Sequence, residues 1–205
     1  MITLYSGTPG AGKSLHLASR LYHWMQYRNA PIIANFSCVF SSIKNPKGQF
    51  IYIDNSQLTP ERLIWFSKNY EQYIGRRPRE GEILLVIDEA QLLFNSREWV
   101  KTDRAEWCAF FTQHRKLGYE VVLVAQMDRM LDRQIRGLVE YEWIHRKCSN
   151  FGVAGKLLGV LFGGKLFVAV KVWYPMKEKV GSEFFVYKKR FSDIYDTYAL
   201  FAIPK

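Results

Sequence analysis

Paired cysteines, long apolar runs and acidic residues are what this 205-residue chain has least of. Its three cysteines, Cys38, Cys108 and Cys148, lie far apart, with no CxxC pair and no histidine at ligand spacing. That excludes a disulfide framework and a thiolate metal site, and the three read as reduced core thiols of a cytosolic protein. The longest apolar tract, 157–164, sits between Lys156 and Lys165 and falls far short of the ~20 residues that a membrane-crossing helix needs. With glycine at 155, 159, 163 and 164 it reads as a glycine-bent hairpin, the alternative being a loop that dips into lipid headgroups. No basic segment followed by an apolar region opens the chain, so secretion through a signal peptide is not expected. Repeats and low-complexity segments are also absent, and 48% hydrophobic residues give no sign of disorder.

The acidic deficit is 19 Asp and Glu against 29 Lys and Arg, a net charge of +10. Such an excess fits an anionic partner, nucleic acid or a lipid surface, or else a solvated basic face. The length suits one domain with a full core and a small appendage.

What is present is concentrated in short motifs. Gly7, Thr8, Pro9, Gly10, Ala11, Gly12, Lys13 and Ser14 spell a complete GxxxxGK[ST] phosphate loop directly after the apolar run 2–5. Glycines let successive backbone N–H groups turn toward phosphates, and a helix opening at Lys13 adds its N-terminal dipole. Lys13 is expected to reach the β- and γ-phosphates and the Ser14 hydroxyl to ligate Mg²⁺. The unbroken apolar run Ile83–Ile87 reads as a central strand covered on both faces and ends in Asp88-Glu89. In an open α/β sheet ligands bind at that carboxyl end. Asp88 is therefore expected to hold Mg²⁺ through its water shell, and Glu89 to polarise an attacking water. A second buried strand, 121–125, ends in Gln126, which reads either as a group orienting water and sensing the γ-phosphate or as a polar strand end. The guanine-reading NKxD is absent, since 125–128 reads Ala-Gln-Met-Asp, and ATP is the expected nucleotide. Arg97, Arg115, Arg129, Arg133 and Arg136 are candidates to reach a neighbouring subunit's triphosphate, or are surface residues.

Periodicity places helices at 13–28, 59–73, 103–116 and 130–138, and strands at 2–5, 31–35, 50–53, 83–87 and 121–125. Strand-like runs follow at 141–147, 166–173 and 184–189. The fold class expected is α/β: a parallel core over 1–140, then a β-rich extension over 141–205 packed on it. Basic segments at 76–79, 145–147 and 188–190, and Trp99, Trp107, Trp143 and Trp173, are candidate contacts to nucleic acid or lipid.

These residues together resemble the zonula occludens toxin (Zot) family, which includes filamentous-phage assembly and export ATPases. The resemblance is carried by GTPGAGKS, IDEAQ at 87–91, HRKLG at 114–118, VVLVAQ, DRQIRGLVE at 132–140 and IYDTY at 194–198. It implies a RecA-like, additional-strand P-loop NTPase, nucleotide contacts from Gly7, Gly12, Lys13 and Ser14, a metal-side Asp88, and hydrolytic Glu89 and Gln126. It also implies a position at the cytoplasmic face of the bacterial inner membrane, where longer members continue into a membrane span that these residues do not contain. The leading expectation is an ATP-hydrolysing motor for phage export, oligomeric, with phage single-stranded DNA, coat or assembly proteins and the anionic membrane surface as partners. The alternatives are a small-molecule P-loop kinase and a nucleotide-gated oligomeric binding module.

Overall fold

A computed structural model of the chain describes residues 1–95, 101–150, 152, 155 and 161–195. Its first strand, β1 (Ile2–Ser6), is buried along its whole length, as a run without polar alternation must be. The phosphate loop follows and leads into α1 (Lys13–Tyr27). β2 (Pro31–Ala34) and β3 (Gln49–Tyr52) come next, then α2 (Pro60–Ile74), whose Thr59 side chain caps Arg62 N–H and whose Gly75 ends it at φ 69°. β4 (Ile83–Ile87), α3 (Lys101–Gln113), β5 (Tyr119–Val124) and the short α4 (Arg133–Gly137) complete the first 140 residues.

β1 to β6 are mutually parallel in the order β3-β2-β4-β5-β1-β6, where β6 is Tyr141–Lys147. β5 thus stands between the phosphate-loop strand and the strand that carries Asp88-Glu89, which is the additional-strand arrangement. β7 (Leu166–Trp173) and β8 (Glu178–Val186) then pair antiparallel, so the chain after 140 extends the sheet, and α5 (Lys189–Ser192) follows.

Alternate residues of the central strands feed two separate cores, one per face of the sheet. Leu4, Leu85, Val121 and Leu123 join Leu63 of α2 and Trp107, Phe110 and Phe111 of α3 on one side. Tyr5, Leu84, Val86 and Val122 meet Leu17, Leu21 and Met25 of α1, with Phe191 of α5, on the other.

Three expectations change. β8 begins at Glu178 rather than 184, because its first half is an exposed edge strand whose charged residues, Glu178, Lys179 and Glu183, give no apolar run. The single helix expected over 130–138 is a 3₁₀ turn at Asp128–Met130 followed by α4, which Asp132 caps by accepting from Gln134 N–H. Of the three free thiols only Cys148 is fully buried; Cys38 and Cys108 are partly exposed. The tract 157–160 lies outside the described residues. Among the described residues no helix is long and apolar enough to cross a membrane.

Leu85 is fully buried in the central strand. Leu85→Ala is expected to cost about 2–5 kcal/mol by urea denaturation, from lost transfer energy and the cavity left behind.

Candidate nucleotide site

Because β1, β2, β4 and β5 run the same way, their carboxyl ends deliver the phosphate loop, Asn35, Asp88 and Gln126 to one edge of the sheet. The loop's two outer glycines are fixed by their neighbours. Gly7 has φ 143°, and a Cβ there would stand 2.6 Å from the His145 carbonyl oxygen of β6. Gly12 has φ 97°, and a Cβ would meet Phe167 Cδ1 of β7 at 2.8 Å. Gly12 gives α1 no side-chain cap, and the first turn of the helix carries no acidic residue. Its N-terminal N–H groups and dipole are thus left for an outside anion.

Lys13 folds back over the loop, where its ammonium donates to Gly7 O at 2.6 Å and to Thr8 O at 3.3 Å. Burial lowers its pKa, while the nearby charges of Glu89 and Asp88 raise it. The cradle and the acidic couple therefore share one electrostatic site.

Asp88 is buried and its surroundings are almost fully satisfied. Its backbone N–H donates to Asn35 Oδ1 at 2.7 Å, and Asn35 Nδ2 donates back to the Asp88 carbonyl at 2.8 Å and to Asn55 Oδ1 at 2.9 Å. The carboxylate accepts from Glu89 N–H at 2.8 Å and from the Tyr195 hydroxyl. Burial raises the Asp88 pKa, against the lowering effect of the Tyr195 hydroxyl and the Glu89 N–H. Burial likewise pushes the adjacent Cys38 thiol up to about 12, which leaves it unreactive. Glu89 adopts a left-handed backbone at φ 46° and ψ 46°, rare for a non-glycine residue, and its carboxylate accepts from Gln91 Nε2. Such strain is kept where the surroundings over-determine it. The Gln126 backbone carbonyl accepts from Gly7 N–H at 3.1 Å, which sets the residue beside the loop.

Beneath the loop lies a buried histidine pair. His145 Nδ1 donates to the Ser6 carbonyl at 3.0 Å, so its Nε2 must accept the proton of His16 Nδ1 at 2.8 Å. Burial pushes His145 down to about 4 and His16 to about 3, with Lys13 acting on the first and His145 and Arg20 on the second. Ser6 Oγ donates to the buried carboxylate of Glu142 at 2.6 Å.

Other candidates part company. His145 is 1% exposed, so the 145–147 segment cannot offer it to nucleic acid. Trp107 packs against Phe94, Phe110 and Phe111 in the core, whereas Trp173 is exposed. In the 76–79 segment Arg76 makes two 2.8 Å bonds to Glu82, and Pro78 is buried. Arg115 is paired with Glu80 and Glu140, while Arg129 and Arg133 are exposed and Arg136 is half-buried. Arg97, Trp99 and positions 196–198 lie outside the described residues. Sequence reasoning missed Asn35, whose one signal was a polar residue closing an apolar strand. It also missed the act of Tyr195, visible only as part of a motif, and the histidine pair, which had no signal.

A phosphate loop with an uncapped helix, a strand-end Asp-Glu and an intervening strand define a P-loop NTPase of the RecA-like, additional-strand class. The family model described as Zonular occludens toxin (Zot) matches residues 1–166, and the chain belongs to that family. It is 36% identical over 86 residues to the Gene 1 protein of Enterobacteria phage I2-2, covering 40% of this chain and 24% of that protein. The Gene 1 protein of Salmonella phage IKe is 36% identical over 89 residues, with the same shares. The aligned part thus spans about a quarter of these relatives. Among solved structures, the N-terminal domain of zonular occludens toxin from Neisseria meningitidis superposes with TM-score 0.61 at 18% identity, covering 95% of this chain and 98% of that one. The genome packaging NTPase B204 from Sulfolobus turreted icosahedral virus 2, in complex with ATP-gammaS, gives 0.54 at 14% identity, covering 89% and 95%. Both carry the same fold.

An unfolded histidine titrates near ~6.5, well above the folded values, so below that pH the unfolded chain binds more protons than the folded one. Stability is then fully present above about pH 6.5 and falls toward pH 4, by up to about 1.4 kcal/mol per pH unit for each histidine. Urea midpoints measured from pH 7 to 4.5 are expected to fall accordingly, and His145→Gln to flatten the slope.

Proposed function

We propose that this chain is the motor domain of a filamentous-phage assembly and export machine, which hydrolyses Mg²⁺-bound ATP. The observation that carries the reading is the phosphate cradle and the Asp88-Glu89 couple at one sheet edge, with Lys13 in the field of both carboxylates. Membership of the Zot family and the likeness to phage Gene 1 proteins support the phage setting. The packaging NTPase crystallised with a nucleotide analogue supports ATP as the ligand of the fold. The kinase alternative is not favoured by these relatives.

The donor set suits Mg²⁺. A hydroxyl at Ser14 and a carboxylate at Asp88 are hard oxygen ligands, and among the described residues no cluster of three or more His, Cys, Asp or Glu forms a cage for another metal. Bound there, the ion would neutralise charge on the β- and γ-phosphate oxygens. Lys13 would exchange its two carbonyl partners for phosphate oxygens, which accept a charged donor more strongly. Gly7, Thr8, Pro9, Gly10, Ala11 and Gly12 would wrap the phosphates with backbone N–H groups, Pro9 lacking one. Asp88 would stay ionised on the metal side, held in place by Asn35. Glu89, its carboxylate aimed by Gln91, would take a proton from the attacking water, with Gln126 orienting that water from the adjacent strand. The same reading places the domain at the cytoplasmic face of the inner membrane, as an oligomer acting on phage DNA or coat protein.

Steady-state ATP turnover, with and without single-stranded DNA and anionic vesicles, tests it. Lys13→Ala is expected to abolish nucleotide binding. Glu89→Gln is expected to bind ATP yet turn over about 10²- to 10⁴-fold more slowly, the range for a lost general base. Full activity in both variants would overturn the mechanism.

A further inference from the structure

We propose that the aromatic wall which β7 and the end of β8 set against the phosphate loop is the base-binding half of the nucleotide site, with Phe167 and Tyr187 receiving the planar ring of a nucleoside triphosphate. The proposal rests on the reading that the loop binds the triphosphate and assigns what that reading leaves open, the place of the base.

A cavity of about 640 Å³ lies over the loop, with Gly12, Ser14, Leu15 and Ala18 on one side and Phe167 and Tyr187 on the other. That volume suits a nucleotide-sized ligand. Lys13 and Asp88 fix the end of the site where the terminal phosphate belongs. Ser14, Leu15 and Ala18 of α1 line the same cavity as the two rings.

The rings are prepared for stacking. Phe167 is seated on Gly12 and stacks on Phe185, with centroids 5.6 Å apart and planes 19° from parallel, so its orientation is set before any ligand arrives. Tyr187 is 41% exposed at the cavity rim, although its hydroxyl is engaged with Ser192 Oγ at 2.8 Å. The Lys165 ammonium stands 5.2 Å from the centre of the Tyr187 ring, and the exposed part of that ring is a surface that a flat ring covers with gain. The cavity on the other side of the loop is lined instead by Ser6, Gln126, Asp128, Glu142 and His145 among others, with no Phe, Tyr or Trp. Arg146 and Lys147 line it beside the two carboxylates, and its walls offer a base no Phe, Tyr or Trp ring to stack on. The geometry thus directs the base toward the C-terminal strands, and makes them part of the nucleotide site.

Calorimetry with ATP and with inorganic tripolyphosphate, each with Mg²⁺, separates base from phosphate binding. Tyr187→Ala removes a partly exposed ring and is expected to leave the fold intact. It should weaken ATP about tenfold or more, the usual worth of one stacked base, while tripolyphosphate stays within about twofold of wild type. Tyr187→Phe should keep ATP affinity, and Phe167→Leu should repeat the selective loss. Unchanged ATP binding in Tyr187→Ala, or an equal loss for both ligands, would overturn the base assignment alone. Wild-type protein that binds neither ligand would overturn the nucleotide reading together with it.

Discussion

The site depends on one constraint, the parallel pairing of β5 between β1 and β4. Parallel strands end together, and the registers Tyr5 with Val124 and Ile87 with Leu123 leave the phosphate loop, Gln126 and Asp88 side by side at one edge. Were either pairing shifted by one residue, the side chains of a whole strand would change faces and both cores would be broken. The hydrophobic cores thus hold the polar edge in register. The residues that bury the sheet are different from those that work at its rim, yet they fix where the rim residues stand.

Polar groups buried at that rim are the second layer of the design. Asn35 braces the backbone of Asp88 from the neighbouring strand, and Tyr195 reaches its carboxylate from a segment more than a hundred positions later. His145 holds the carbonyl of Ser6 from the far side. An unpartnered group at such depth would cost about 1–3 kcal/mol, so each bond made here mainly removes a penalty rather than adding stability. What it contributes is position. The strained backbone of Glu89 is tolerated for the same reason, because Asp88 and Gln91 hold the turn on both sides.

The strands after residue 140 belong to this edge and are more than an appendage beside it. β6 continues the parallel sheet next to β1 and sets the His145 carbonyl against Gly7, while β7 sets Phe167 against Gly12. Both outer glycines of the loop are therefore specified by strands far along the chain as well as by their own backbone angles. β8 closes the sheet as a charged edge, which discourages further strand pairing.

Runs such as Ile83–Ile87 and 121–125 could be read as buried strands because covering both faces demands an unbroken apolar stretch, and the phosphate loop could be read because its chemistry is local. Asp88, Glu89 and Gln126 were legible as polar residues closing such runs. The first half of β8 was not, since an exposed edge strand has no apolar signature, and neither was the pairing within the basic segments, since charge in a sequence does not tell that Glu82 stands beside Arg76 while Arg77 and Arg79 stay exposed. By itself the sequence determined the strand–loop–helix that can cradle phosphate and the acidic pair that can serve it. Only the tertiary structure decided that Asn35, Tyr195 and His145 stand guard over these groups and that Phe167 meets Gly12. Those contacts join residues about fifty to more than a hundred and fifty positions apart, and no local preference of the chain encodes a distance of that kind.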